Sequence, residues 1–289
     1  IIILTLIKNG FYEAELKKIG IKVFSLDINP QINFLEITKK IIKLRQFINK
    51  HNPDVIQSWM YHSNFITLFL QKGYHNKLFW NIRHSELNFQ ISKKMTILIS
   101  IICGLFSRVI PQKIIYCSEK SISFHQNNHF YSKTKSVLIY NGYDFNNYFP
   151  SKKLRFYFRK KYNINKSDII LGYAGRYAKQ KNIKALLFAF SKIKKKYKNI
   201  YLYMAGKNIN IQNKELVKYV NQLKLKKKIF FLGEQENLKK FYNGIDFLTL
   251  TSHSESFPNV IAESMLCSTP VLSSNAGCSK KIINDCGFV

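Results

Sequence analysis

DIILGYAGR (168–176), IKALLFAFSKIKKKY (183–197) and IYLYMAG (200–206) follow one another in the second half of the chain. The first and last are short runs of β-branched and aromatic residues. The middle one is longer, and its apolar residues recur at intervals of three and four, as on a helix with one buried face. Strand, helix and strand in that order predict a βαβ unit with parallel pairing. The rhythm continues downstream through ELVKYVNQLKLK (215–226), KIFFLG (228–233), FLTLTS (247–252), VIAESML (260–266) and PVLSS (270–274). Upstream it appears in IKVFSL (21–26), ITKKIIKLRQFINKH (37–51), DVIQSW (54–59), LFWNI (78–82), KIIYCS (113–118) and SVLIYN (136–141). The expected class is α/β, with doubly wound parallel sheets covered by helices on both faces.

The alternation breaks at NGYDFNNYFPSKKLRFYFRKKYN (141–163), where an Asn-Gly turn, a proline and a basic, weakly periodic segment intervene. This predicts two domains, 1–150 and 151–289. Doubly wound domains bind ligands at the carboxyl ends of their strands, so the expected site is the cleft between them.

Composition narrows the partners. The chain of 289 residues carries a formal charge of +30, and only six of its 46 basic residues are arginine. Base reading and phosphate clamping favour the planar fork of arginine, so the lysine excess reads first as solvated faces. An anionic membrane surface ranks second and nucleic acid third. The lysines around KSISFHQNNHFYSKTK (120–135) and KKLRFYFRKKYN (152–163) are the candidates for lipid contact. No single element carries an evident stripe of interleaved basic and aromatic residues, which a polyanion-binding module would need. The apolar run MTILISIICGLF (95–106) is too short to span a bilayer and reads as a buried or interfacial helix. Five cysteines without paired spacing read as reduced thiols rather than a disulfide frame or zinc site. The chain lacks an initiator Met and stops at CGFV, so missing sequence is expected at both ends.

Neither a GxGxxG fingerprint, a P-loop, a GxSxG elbow nor a DxD pair is present, which disfavours dinucleotide, P-loop, hydrolase and metal-dependent phosphate chemistry. The positive signals lie at strand ends. After ILGYA, Gly175 permits close backbone approach, Arg176 supplies a fork and Lys181 a point charge, suited to adjacent phosphates. A solvated basic loop is the plain alternative. In SHSESFPNVIAESML (252–266), Pro258 suits the first turn of a helix, whose free amides favour an anion. Glu255 then lies in the loop before that helix and Glu263 inside it. A carboxylate beside an anion repels it unless it accepts hydrogen bonds from neutral hydroxyls. Two carboxylates, free amides and an Arg/Lys pair therefore suit a sugar joined through a diphosphate to a ribose. An exposed helix start with dipole-favoured acids is the alternative.

G-R-x-x-x-x-K-N (175–182) followed by E-S-F-P-N-V-x-x-E-S-M-L-C-S-T-P-V (255–271) resembles the donor-binding domain of glycosyltransferase family 4. PDVIQSWMYHSN (53–64), WNIRHSEL (80–87) and VLIYNGYDFNNYFP (137–150) are similar to acceptor-domain landmarks of bacterial members that build surface polysaccharides. The resemblance implies a GT-B fold, two Rossmann-like domains facing across a cleft. It also implies retaining, metal-independent transfer of a hexose-type sugar, with no cofactor. The implied donor is a UDP- or GDP-linked sugar, and the implied acceptor lipid-linked or an oligosaccharide. The implied place is cytoplasmic, peripheral on the inner face of the membrane.

Residue by residue, the resemblance gives Arg176 and Lys181 to the diphosphate and Glu263 to the ribose. Glu255, with the backbone of Ser256 and Phe257, holds hydroxyls of the transferred sugar, and Pro258, Asn259 and Gly175 join the substrate-binding residues. His84 matches the acceptor-side histidine, with Arg83 beside it as a weaker candidate. Ser256 and Cys278 stand where the family prefers glycine, and Lys280 or Lys281 where an acid is common. The family's glycine-rich loop after the first strand is absent, as are its final helices. The rival expectation, from charge alone, is a non-catalytic basic module for nucleic acid or lipopolysaccharide.

Overall fold

The computed structural model describes residues 1–10, 12–28, 34–87 and 92–289. Its elements run β1 (Ile2–Thr5), α1 (Glu13–Lys18), β2 (Lys22–Ser25), α2 (Phe34–His51), β3 (Ile56–Trp59), α3 (Met60–Thr67), β4 (Leu78–Ile82), α4 (Lys94–Phe106), β5 (Lys113–Tyr116), α5 (Glu119–Asn128) and β6 (Ser136–Leu138). They continue through α6 (Lys152–Lys161), β7 (Ile169–Ala174), α7 (Ile183–Lys196), β8 (Ile200–Ala205), α8 (Lys214–Gln222), β9 (Ile229–Gly233) and α9 (Lys239–Gly244). The chain closes with β10 (Phe247–Leu250), α10 (Asn259–Leu266), β11 (Val271–Ser273), α11 (Ser279–Ile283) and β12 (Gly287–Phe288).

These elements divide into two compact units, residues 1–82, 93–116 and 125–137 in the first, and 83–92, 117–124 and 138–289 in the second. The second unit therefore begins ahead of the boundary near 150 read from the Asn-Gly turn, and it takes in two short pieces of the first half.

In the first unit, β1 and β2 pair in parallel, and a separate sheet has the order β3-β4-β5-β6, with β3–β4 and β4–β5 parallel. Leu26, Leu44, Ile48 and Leu70 form one of its cores. A second packing region is polar. Ser100, Cys103, Gly104 and the following Ser107 are buried. Ser100 Oγ lies 2.7 Å from His129 Nδ1, and Ser107 Oγ accepts the amide of Ser132 at 2.8 Å. His125, fully buried, meets the Tyr61 hydroxyl at 2.8 Å.

The second unit holds a six-stranded sheet in the order β12-β11-β10-β7-β8-β9, and each of its described pairings is parallel. Alternation along β7 explains the two layers of helices. Leu171 and Tyr173 point into a core shared with Ile183, Leu187 and Phe190 of α7 and Leu216 of α8. Ile170 and Ala174 point the other way, into a core with Phe158 of α6, Phe241 of α9 and Ile261 of α10. Period-two strands and period-3.6 helices meet on both faces, so the sheet is doubly wound. Arg155 and Arg159 of α6 both reach Asp246, at 2.5 and 3.3 Å, and fix that helix to the start of β10. Its expected weak periodicity is thus a helix whose inward face is held by ion pairs as well as apolar contacts.

Candidate functional site

The strand order sets the site. From β7 the chain runs outward through β8 and β9, then returns to place β10 on the other side of β7. The direction of winding reverses between β7 and β10, so their following loops diverge and leave a crevice at the carboxyl ends. Those two loops carry Arg176 and Lys181 on one side and Glu255 on the other.

The loops are stitched together within the second unit. The His253 amide donates to the Gln180 carbonyl at 2.8 Å, and Thr251 Oγ1 lies 3.2 Å from the carbonyls of Lys181 and Asn182. Lys181 Nζ reaches Glu255 Oε1 at 2.5 Å, and Ser252 Oγ donates to the same oxygen at 2.7 Å. Both charged side chains are largely buried, 15% and 11% exposed, so this pair is screened far less than a surface one. The 3₁₀ turn over Lys179–Lys181 ends on Asn182 in the left-handed region at φ 48°. That turn carries Lys181 across to Glu255, a juxtaposition spacing alone does not give.

Six of the predicted residues line two cavities, Arg83, His84, Glu255 and Ser256 one of them and Gly175 and Arg176 the other. One, of about 100 Å³, is lined by Arg83, His84, Gln180, Glu255 and Ser256. It therefore brings the strand-end histidine to the loop carboxylate. His84 Nδ1 lies 3.3 Å from the Glu86 carbonyl, and Arg83 donates to Asn141 Oδ1 at 2.7 Å. The other cavity, of about 330 Å³, is lined by Gly175, Arg176, Gly206, Lys207, Gln235 and Val260. Arg176 is exposed there and, among the described residues, has no ion-pair partner.

Two glycines make the loops' close approach possible, and neither was singled out in the sequence as a contact point. A Cβ at Gly206 would collide with the carbonyl oxygen of Gly175, and one at Gly277 with that of Glu255. Both adopt positive φ, 140° and 60°, so a side chain is excluded twice over. Gly206–Lys207 repeats the Gly175–Arg176 pattern at the next strand end, and that repetition was a readable signal.

The start of α10 differs slightly from expectation. Pro258 is the cap residue, with ψ 93°, and Asn259 is the first helical residue. Extended ψ at a proline is what its ring permits, and a cap position tolerates the missing N–H as well as the first turn does. Asn259 Oδ1 accepts from Asn141 Nδ2 at 2.8 Å and Tyr143 Oη at 3.0 Å. Phe257 packs between Tyr140 and Tyr143, at centroid distances of 5.7 and 6.3 Å. The Ser256 side chain turns inward, its Oγ 3.1 Å from Cys117 Sγ and 3.2 Å from Ser118 Oγ.

Glu263 lines neither of these cavities. Its Oε2 accepts the Tyr242 hydroxyl at 2.7 Å. Burial raises the Glu263 carboxyl above the usual carboxylate range, and the Tyr242 hydrogen bond partly offsets that. Tyr143 and Tyr148 are pushed up by burial first and by the Glu263 charge second. Oε1 is the remaining oxygen available for a further hydroxyl donor. Tyr242 escaped the sequence reading because nothing in KKFYNGIDF (239–247) marks one tyrosine as aimed at a carboxylate 21 residues on.

Residues 155–287 match the family described as glycosyl transferases group 1. The O-antigen biosynthesis glycosyltransferase WclY of Escherichia coli is 28% identical over 163 residues, 56% of this chain and 43% of that protein. N-acetylgalactosamine-N,N'-diacetylbacillosaminyl-diphospho-undecaprenol 4-alpha-N-acetylgalactosaminyltransferase of Campylobacter jejuni is 24% identical over 251 residues, 84% of this chain and 64% of that one. The matched region thus spans less than half of the Escherichia coli relative. Among solved structures, Anabaena Alr3699/HepE in complex with UDP and glucose superposes with a TM-score of 0.82 at 21% identity, covering 99% of this chain and 77% of that one. The fold is the α/β glycosyltransferase fold termed GT-B.

Proposed function

We propose that this chain belongs to a retaining family 4 enzyme that moves a hexose-type sugar from a nucleotide-diphosphate sugar to a lipid-linked or saccharide acceptor in surface-polysaccharide synthesis. The observation that carries the reading is the reversal of winding between β7 and β10. It sets exposed Arg176 and Val260 of the first turn of α10 on one cavity, and Glu255, paired with Lys181, on another. The donor diphosphate lies against Arg176 and the α10 amides, and its sugar against Glu255 and His84. Sugar hydroxyls compete for Glu255, which frees Lys181 Nζ to turn toward the departing phosphate. Arg176 meets charge that grows as the nucleotide diphosphate leaves from the face the acceptor enters, without a dedicated protein base or a metal. Glu263, held by Tyr242, takes the ribose through Oε1.

The HepE structure is a complex with UDP and glucose, which favours a UDP-linked donor over a GDP-linked one. The Campylobacter relative's name specifies a diphospho-undecaprenol substrate, which favours a lipid-linked acceptor. Such an acceptor places the enzyme peripherally at an anionic membrane, on the cytoplasmic side where nucleotide sugars are made. The division proposed is an acceptor-side domain over 1–150 and a donor-side domain over 151–289. Arg176→Ala should lower kcat by about 10²–10³ with little change in KM, because the charge it meets develops in the transition state. Normal turnover in that variant would remove the assignment. A thermal-shift screen with UDP- and GDP-sugars tests the donor. At about 100 Kd the true donor should add about 2.7 kcal/mol of stability.

One observation favours the rival reading. Lys152, Lys153, Phe156, Tyr157, Lys160 and Lys161 are all exposed along α6, a stripe of interleaved basic and aromatic residues not evident from the linear sequence. If this is a polyanion site, oligonucleotide affinity should fall steeply with salt, whereas nucleotide-sugar binding should barely change.

A further inference from the structure

α4 is turned inside out. Its buried positions hold Ile97, Ser100, Cys103 and Gly104, mostly small or polar. Four of its large apolar side chains face outward instead. Met95 is 61% exposed, Leu98 51%, Leu105 59% and Phe106 51%, and Val109 just beyond the helix is 69% exposed. Their spacing of 0, 3, 10, 11 and 14 residues places them on one narrow stripe, opposite the buried residues. The inward face cannot be exchanged for the outward one. A Cβ at Gly104 would already strike the His129 carbonyl, and Ser100 bonds the His129 ring.

Exposing such a stripe to water is unfavourable, so something apolar covers it. The charges around it identify the cover. Lys93, Lys94 and Arg108 are exposed at its two ends, and no acidic residue occurs between Glu86 and Glu119. At 13 residues the helix is about 20 Å long, short of the roughly 30 Å hydrocarbon core. Among the described residues no helix is long and apolar enough to cross a membrane.

We infer that α4 is an interfacial anchor. It lies in the plane of an anionic bilayer, with Met95, Leu98, Leu105, Phe106 and Val109 sunk to the headgroup–acyl boundary and the three cations against lipid phosphates. The inference deepens the membrane clause of the proposed function and is independent of which sugar is transferred. Of the two stretches expected to touch lipid, 120–135 turns His125, His129 and Tyr131 into the core. That stretch contributes charge at most.

The test is flotation of the full chain with vesicles of phosphatidylcholine alone or mixed with phosphatidylglycerol. The wild type should float with the mixed vesicles. The triple variant Leu98→Ser, Leu105→Ser, Phe106→Ser should lose about tenfold in partitioning per residue, and Lys93→Gln with Lys94→Gln about fivefold each, on anionic vesicles only. A control pair, Phe188→Ser and Ile193→Ser on an exposed face of α7, should float normally. Phe106→Trp should show a blue-shifted emission component with vesicles, beyond that of Trp59 and Trp80. An unchanged melting temperature and UDP affinity confirm that the triple variant is folded. Normal flotation of the triple variant overturns the anchor while leaving membrane binding by another face. No flotation of the wild type overturns both this inference and the membrane clause, and leaves donor binding to be judged by thermal shift. A wild-type dimer that becomes monomeric in the triple variant, without lipid binding, assigns the stripe to a protein contact and also overturns the anchor.

Discussion

α7 and α4 are helices of nearly equal length that bury opposite kinds of residue. α7 puts Ile183, Leu186, Leu187 and Phe190 against the sheet and sends Lys192, Lys195 and Lys196 to solvent, with its lysines at the end the helix dipole favours. α4 puts serine, cysteine and glycine inward with a single isoleucine, Ile97, and leucine, methionine and phenylalanine outward. A helix follows the ordinary rule where the sheet beneath it is apolar. It inverts where its neighbours present the hydroxyls, imidazoles and a close backbone carbonyl that α4 meets. The lesson is that a hydrophobic run does not say which way it faces; its small residues do.

The largest expected effect is on α7. Phe190 is fully buried, so Phe190→Ala should cost about 3–5 kcal/mol in chemical denaturation, and a loss under 1 kcal/mol would mean α7 is not the organising helix of its core. On α4 the sensitive position is the smallest. Gly104→Ala forces a Cβ onto the His129 carbonyl and should cost about 1–3 kcal/mol through displaced backbone, where alanine in an ordinary helix interior would stabilise.

Next is the polar inner face. Ser100→Ala removes the hydroxyl beside His129 Nδ1 and should cost about 1 kcal/mol. Burial holds the His129 pKa below its ordinary value, so the folded chain prefers the neutral ring. That contribution is fully present above the unfolded histidine pKa, about 6.5. It is lost as pH falls through the lower folded value, so a melting-temperature series from neutral to acid should decline and His129→Asn should flatten it. The smallest effect sharpens the contrast most. Leu105→Ser and Phe106→Ser together should change stability by no more than about 0.5 kcal/mol in water, although they remove more apolar surface than any of the others.

Legibility followed the same divide. The strands LFWNI, DIILGYA and FLTLTS were readable because a parallel strand buried on both faces must be a near-continuous apolar run. The positions of the basic loop after β7 and of the carboxylates around the α10 start were readable because the flanking strand and helix patterns fix them. Pro258 was read one residue too far into the helix, since a cap and a first turn suit proline equally. The Lys181–Glu255 pair, the separation of Arg176 and Glu255 into different cavities, and the Tyr242–Glu263 bond were not readable. Each depends on which strand ends are neighbours and on which rotamer a side chain adopts. Gly206 and Gly277 are intermediate, since strand-end glycines are visible but the backbone each one admits is not.

By itself the sequence determined the α/β class, the parallel pairing and which charged residues stand at the strand ends, because periodicity and strand-end position are local. Only the tertiary structure decided that β10 returns beside β7, that Lys181 spends its charge on Glu255, and that α4 faces outward. Those depend on what each side chain meets across the fold, and burial is settled by the partner as much as by the residue.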